Sequence, residues 1–139
     1  MLNKEEIEAF LAREFPQALE LGFEIAAMEP TGVTLHLKVE ERHLRPGGTV
    51  SGPVLMTLVD TSAYLSILGR LGEIGLAVTT DLQVHFLRRP TGPVIVAECE
   101  LLKLGRRLAV AATRIHQTGD GALVAHGVTT YSLPPGTRG

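Results

Sequence analysis

The chain has 139 residues, 45% of them hydrophobic and 20% charged, with a formal net charge of -2. That length and balance describe one globular domain, residues 1–139, able to bury a core without staples. They exclude a nucleic-acid surface, because no basic block alternates with aromatics, and two Tyr, four Phe and no Trp are too few for stacking platforms. The single cysteine, Cys99, excludes an internal disulfide and fits a reducing compartment. Acids in Leu2-Asn3-Lys4-Glu5-Glu6 stand where a signal peptide needs an apolar run, and no segment holds the roughly eighteen uncharged apolar residues of a membrane span. A cytoplasmic protein without a membrane partner is the expectation.

Asn3 followed by Glu6 reads as a capping box, and Ile7, Phe10, Leu11 and Phe15 recur at helical spacing up to Pro16. Residues 1–16 are therefore a short amphipathic helix covering a core edge. Two β-rich runs follow, Phe23 to Met28 and Val33 to Val39, joined by the turn Glu29-Pro30-Thr31-Gly32. The second half predicts strands only. Leu76 to Leu87 alternates, with Val78, Thr80, Leu82, Val84 and Phe86 on one face and Thr79, Asp81, Gln83 and His85 on the other. Pro93 to Leu104 and Arg107 to Gln117 form a hairpin across Gly105-Arg106, and Leu123 to Leu133 is the last strand. The tail, 134–139, is expected to fray.

Between these halves lies Arg45-Pro46-Gly47-Gly48-Thr49-Val50-Ser51-Gly52-Pro53, a glycine-rich loop feeding a helix. Ser51 suits an N-cap and Pro53 a first-turn position, whereas Gly69 and Gly72 suit a stop. From Val54 to Leu68 apolar residues cover nearly the whole circumference, the mark of a helix enclosed by other structure. Only Thr57, Asp60, Thr61 and Tyr64 make a polar stripe. Consecutive strands joined by short turns pair antiparallel, so the predicted class is α+β, a curved antiparallel sheet wrapped around this central helix.

Several chemistries find no residues to carry them. His36, His43, His85, His116 and His126 fall on different elements without metal-ligand spacing. Gly47-Gly48 lacks the lysine and hydroxyl of a phosphate loop and reads as a tight turn needing positive φ. Ser51 is in no Gly-x-Ser-x-Gly elbow, and Cys99, mid-strand, reads as an inert thiol. What remains is Asp60 together with the start of its own helix. Backbone N–H groups there can hold a developing oxyanion, Gly52 has no side chain to block a carbonyl, and a carboxylate can activate water or attack directly. Acyl transfer to water uses both parts. The plainer alternative is an Asp60 merely hydrogen-bonded to Thr57 or a neighbouring loop.

Gly48-Thr49-Val50-Ser51-Gly52-Pro53-Val54-Leu55-Met56-Thr57-Leu58-Val59-Asp60 and Val78-Thr79-Thr80-Asp81-Leu82-Gln83-Val84-His85-Phe86-Leu87-Arg88-Arg89-Pro90 together resemble two blocks of the hotdog-fold acyl-CoA thioesterases, in the branch of the phenylacetate-degradation thioesterases. The resemblance implies a hotdog fold and hydrolysis of an acyl-CoA thioester, with no cofactor beyond the coenzyme A of the substrate. By it, Asp60 takes the position of the catalytic carboxylate, Gly52 that of the oxyanion donor, and Thr79 that of a hydroxyl contributed by a partner subunit. It further implies a site at the interface of a homodimer or homotetramer. Ser51, Pro53 and Tyr64 would border the substrate, and Arg88, Arg89 and Arg106, with Lys103 and Arg107, would meet coenzyme A phosphates. Members of the family commonly carry Asn where this chain has Arg45, and His-Gly-Gly where it has Ser51-Gly52-Pro53. An arginine at 45 is placed to pair with Asp60 or to grip an anionic acyl group, which raises a second reading, a non-catalytic acyl-CoA binding or sensing protein. A hotdog dehydratase would need a His near the Asp, and none lies close to Asp60 in sequence.

Overall fold

The computed structural model describes residues 1–136. Of the predicted tail, 137–139 lie outside the described residues, and 134–136 carry neither helix nor strand. The chain begins with α1 (Lys4–Glu14), held by the expected capping box: the Asn3 side chain accepts from the Glu6 N–H at 2.8 Å, and the Glu6 carboxylate accepts from the Asn3 N–H at 3.0 Å. A one-turn helix not foreseen from periodicity, α2 (Pro16–Leu19), follows directly, with proline at its first position.

Strands β1 (Phe23–Glu29) and β2 (Gly32–Lys38) form the first hairpin. A two-residue ladder, β3 (Leu44–Arg45) with β4 (Thr49–Val50), then closes around Gly47 and Gly48, whose φ values of 100° and 77° bear out the expected tight turn. The central helix α3 runs Gly52–Leu71, followed by β5 (Val78–Phe86), β6 (Val94–Leu104), β7 (Leu108–Gln117) and β8 (Leu123–Ser132). The six long strands make one antiparallel sheet in the order β1-β2-β6-β7-β8-β5. It curves around α3, the hotdog architecture that was expected.

The last strand to be made, β8, is inserted between β7 and β5, which leaves β5 at an edge. Close approach of helix and sheet requires small residues on both. A Cβ on Gly127 of β8 would stand 2.5 Å from Val59 Cγ1, and Ser66 Oγ both accepts from the Val33 N–H at 3.1 Å and donates to the Ser62 carbonyl at 2.8 Å.

Two expectations are sharpened and one is corrected. The helix passes through Gly69, which is buried, and stops at Gly72, whose φ of 94° and N–H to the Leu68 carbonyl at 2.9 Å make the cap. Its length and composition suffice to cross a membrane, because Asp60 and Arg70 are its only charges, yet 61% of its most apolar eighteen-residue stretch is buried inside the fold. The alternation along β5 is interrupted. Thr79 pairs with Tyr131 but Asp81 with Thr130, so Thr80 is the extra residue of a bulge. One added residue inverts the phase, turning Thr79 and the buried Ala77 toward the side that Leu82 and Val84 continue, while Val78 is exposed.

Candidate active site

The entry to α3 is built by the loop before it. Buried His43 accepts the Glu40 N–H on Nδ1 at 2.9 Å and donates from Nε2 to the Leu21 carbonyl at 2.8 Å, while its own carbonyl accepts the Ser51 N–H at 2.9 Å. Ser51 then caps the helix as expected, its Oγ accepting from the Val54 N–H at 3.3 Å. The N–H of Gly52, the first helical residue, is one of the four that an α-helix leaves without an intrahelical carbonyl. A Cβ at Gly52 would meet the Phe86 ring at 3.7 Å, so the far end of β5 lies beside the helix start.

Two turns further, half-buried Asp60 is held from the sheet. Thr79 of β5 donates to Asp60 Oδ1 at 2.7 Å, and Tyr131 of β8 donates to the same oxygen at 3.0 Å. The bulge at Thr80 is what aims Thr79 at the helix. The resemblance had assigned Thr79 to a partner subunit, but its hydroxyl meets the carboxylate of its own chain. Thr57, the other neighbour considered for Asp60, instead donates to the Pro53 carbonyl at 2.9 Å. Tyr131 is the site residue that sequence reasoning missed.

Aromatic rings pack behind the carboxylate. Tyr64 stacks on Tyr131 with centroids 5.8 Å apart and planes 17° apart, and Phe15, at the end of α1, meets Tyr64 edge-on at 6.2 Å. Burial pushes the ionisation of Tyr64 up, and that of Tyr131 up much further, with the negative Asp60 adding to it. The Tyr131 phenol is therefore held as a neutral donor to Asp60. Burial also raises the Cys99 thiol, in keeping with the inert role expected of it.

Two clefts meet at this cluster, and Asp60, Phe15, Tyr64 and Tyr131 line both. One, of about 520 Å³, extends between α1 and the start of β5 past Phe10, Leu76 and Val78, with Glu14 at its rim. The other, of about 480 Å³, runs along the first turns of α3 past Pro53, Met56 and Thr57. Among the described residues, Asp60 is thus the one carboxylate that lines both of these largely apolar clefts.

The remaining candidates lie apart from it. Arg45 is exposed at the end of β3, Arg88 and Arg89 follow β5, and Arg106 sits on the β6–β7 turn, none lining either cleft. Asp60 takes its hydrogen bonds from Thr79 and Tyr131, not from Arg45. Gly52 and Asp60 cannot serve one carbonyl from the same chain, because eight residues of helix at about 1.5 Å each separate them by about 12 Å.

A curved antiparallel sheet wrapped around a long central helix defines a hotdog protein. Residues 47–124 match the model of the thioesterase superfamily, and the chain belongs to that family. It is 30% identical to acyl-coenzyme A thioesterase 13 of Homo sapiens over 124 residues, 88% of this chain and 86% of that one. Among solved structures it is similar to a candidate thioesterase from Silicibacter sp. TM1040, with 43% identity, a TM-score of 0.88 and 97% and 94% of the two chains covered. Zebra fish thioesterase superfamily member 2 superposes with a TM-score of 0.84 at 27% identity, covering 96% of this chain and 100% of the other.

Proposed function

We propose that the protein hydrolyses an acyl-CoA thioester to a free acid and coenzyme A. The observation that carries this reading is Asp60 at the meeting of two clefts, with one oxygen held by Thr79 and Tyr131. Membership of the thioesterase superfamily and the likeness to acyl-coenzyme A thioesterase 13 support the substrate class. As a base, Asp60 takes a proton from water, whose oxygen adds to the thioester carbonyl. The resulting oxyanion accepts from a helix-start N–H, the C–S bond breaks, and the departing thiolate takes the proton that Asp60 held. As a nucleophile, Asp60 instead adds to the thioester carbonyl, the C–S bond breaks to release the coenzyme A thiolate, and water opens the resulting anhydride to the acid and Asp60, its released proton going to the thiolate. Single turnover in ¹⁸O-water tests the anhydride route: label in Asp60 establishes an anhydride opened by water at the Asp60 carboxyl carbon, which the base route never gives.

The oxyanion donor in this reading is Gly52 of a second copy. Two features besides the separation of about 12 Å support a homodimer. Strand β5 is a sheet edge, and Leu76, Val78, Phe86 and Leu87 on or beside it are each more than half exposed. Pairing two β5 edges would cover these side chains and bring one helix start toward the other chain's Asp60. Arg88, Arg89 and Arg106 are the proposed contacts for coenzyme A phosphates.

The test is thiol release from a panel of short, medium and aromatic acyl-CoAs, with Asp60→Asn alongside and the native mass read by analytical ultracentrifugation. Turnover by a dimer or larger species that Asp60→Asn abolishes is the expected result. Calorimetric binding of coenzyme A with no turnover on any substrate would establish the binding-protein reading instead, and an active monomer would remove Gly52 of a second copy from the mechanism.

A further inference from the structure

The two oxygens of Asp60 are not equivalent. Oδ1 accepts from both Thr79 and Tyr131, whereas among the described residues none donates to Oδ2. A carboxylate turns easily about its Cβ–Cγ bond, so one donor alone leaves its plane free to swing. Here the donors converge from two different strands, β5 and β8. The single proton of the Tyr131 hydroxyl has two acceptors in range, Asp60 Oδ1 at 3.0 Å and the Asp60 carbonyl at 3.3 Å, and the nearer, charged oxygen takes it. The ring behind that hydroxyl is buried and stacked on Tyr64, so the phenol has little room to follow a moving carboxylate.

We propose that Tyr131 is a positioning residue for the hydrolysis: with Thr79 it commits Oδ1 to the protein and leaves Oδ2 as the oxygen that meets water or the thioester. Nothing in the family resemblance assigned this residue a role. The inference rests on the reading of Asp60 as base or nucleophile, and the experiment keeps the two apart.

Tyr131→Phe retains the ring and its stack but removes the donor. In an acyl-CoA hydrolysis assay it is compared with the native enzyme, Thr79→Val and Asp60→Asn. The expected signature is a kcat lowered about tenfold or more with KM within about twofold, the pattern of an interaction that matters in the transition state rather than in binding. Native kcat in Tyr131→Phe, or a loss confined to KM, overturns the proposal while an inactive Asp60→Asn leaves the role of Asp60 standing. Full activity in Asp60→Asn overturns both. Should circular dichroism show Tyr131→Phe unfolded, Thr79→Val decides the matter: it removes the other donor from the same oxygen, so the same kcat-only loss supports the shared hold on Oδ1 and an unchanged kcat overturns it.

Discussion

The two halves of α3 are made from similar residues and do different work. From Ser62 to Gly69 every residue is buried, whereas between Gly52 and Thr61 only Leu55, Leu58 and Val59 are, and Pro53, Met56 and Thr57 are exposed. The sheet and α1 close around the second half, and the first half keeps one open side. Asp60 sits at the seam, where a carboxylate can be partly solvated and still reach donors on two strands. An all-round apolar helix therefore does not require an all-round enclosure. The open side of such a helix is where a polar stripe becomes available for chemistry.

The sharpest way to separate the halves is to change one residue in each. Asp60→Asn keeps an acceptor for Thr79 and Tyr131 and removes the charge. Thioester hydrolysis should fall about 10²- to 10⁴-fold with the thermal midpoint nearly unchanged, measured by thiol release and calorimetry. Leu65→Ala, in the enclosed half, should do the opposite, costing about 2–5 kcal/mol in urea unfolding while leaving kcat near native. A cost under about 1 kcal/mol would show that this half collapses around the lost volume. Ser66→Ala leaves the Val33 N–H buried without its acceptor, with an expected loss of about 1–3 kcal/mol by the same method. The smallest effect belongs to Ser51→Ala at the helix entry, about 1 kcal/mol from the lost cap. If that variant lost activity far beyond what its stability loss explains, the helix start would be contributing more than an N–H.

Most of the frame was legible because it rests on local chemistry. The capping box at Asn3 and Glu6, the Ser51 cap, the positive φ at Gly47 and Gly48 and the long strands of the second half each follow from a few neighbouring residues. Asp60 stood out by being the one carboxylate on an apolar cylinder. What escaped was set by pairing across the sheet. Nothing in Val78-Thr79-Thr80-Asp81 announces a bulge, so strict alternation put Thr80 on the wrong face. Tyr131 is 71 residues from Asp60, and within its strand it is one more inward-facing residue. Gly69 reads as a helix stop, yet it lies buried inside α3, with Met28 Cε 3.0 Å from where its Cβ would stand.

The insertion of β8 between β7 and β5 also has a consequence for how the molecule is made. Strand β5 leaves the ribosome some forty residues before β8, its sheet neighbour among the described residues, so for that interval both of its edges lack a partner. Tyr131, on the same late strand, arrives with it, and the carboxylate gains its second donor at the moment the sheet is completed. A nascent chain halted before residue 131 thus carries the whole of α3, Asp60 and Thr79, but lacks the Tyr131 donor to Oδ1. The strand that completes the sheet is also the one that brings the second donor to Asp60.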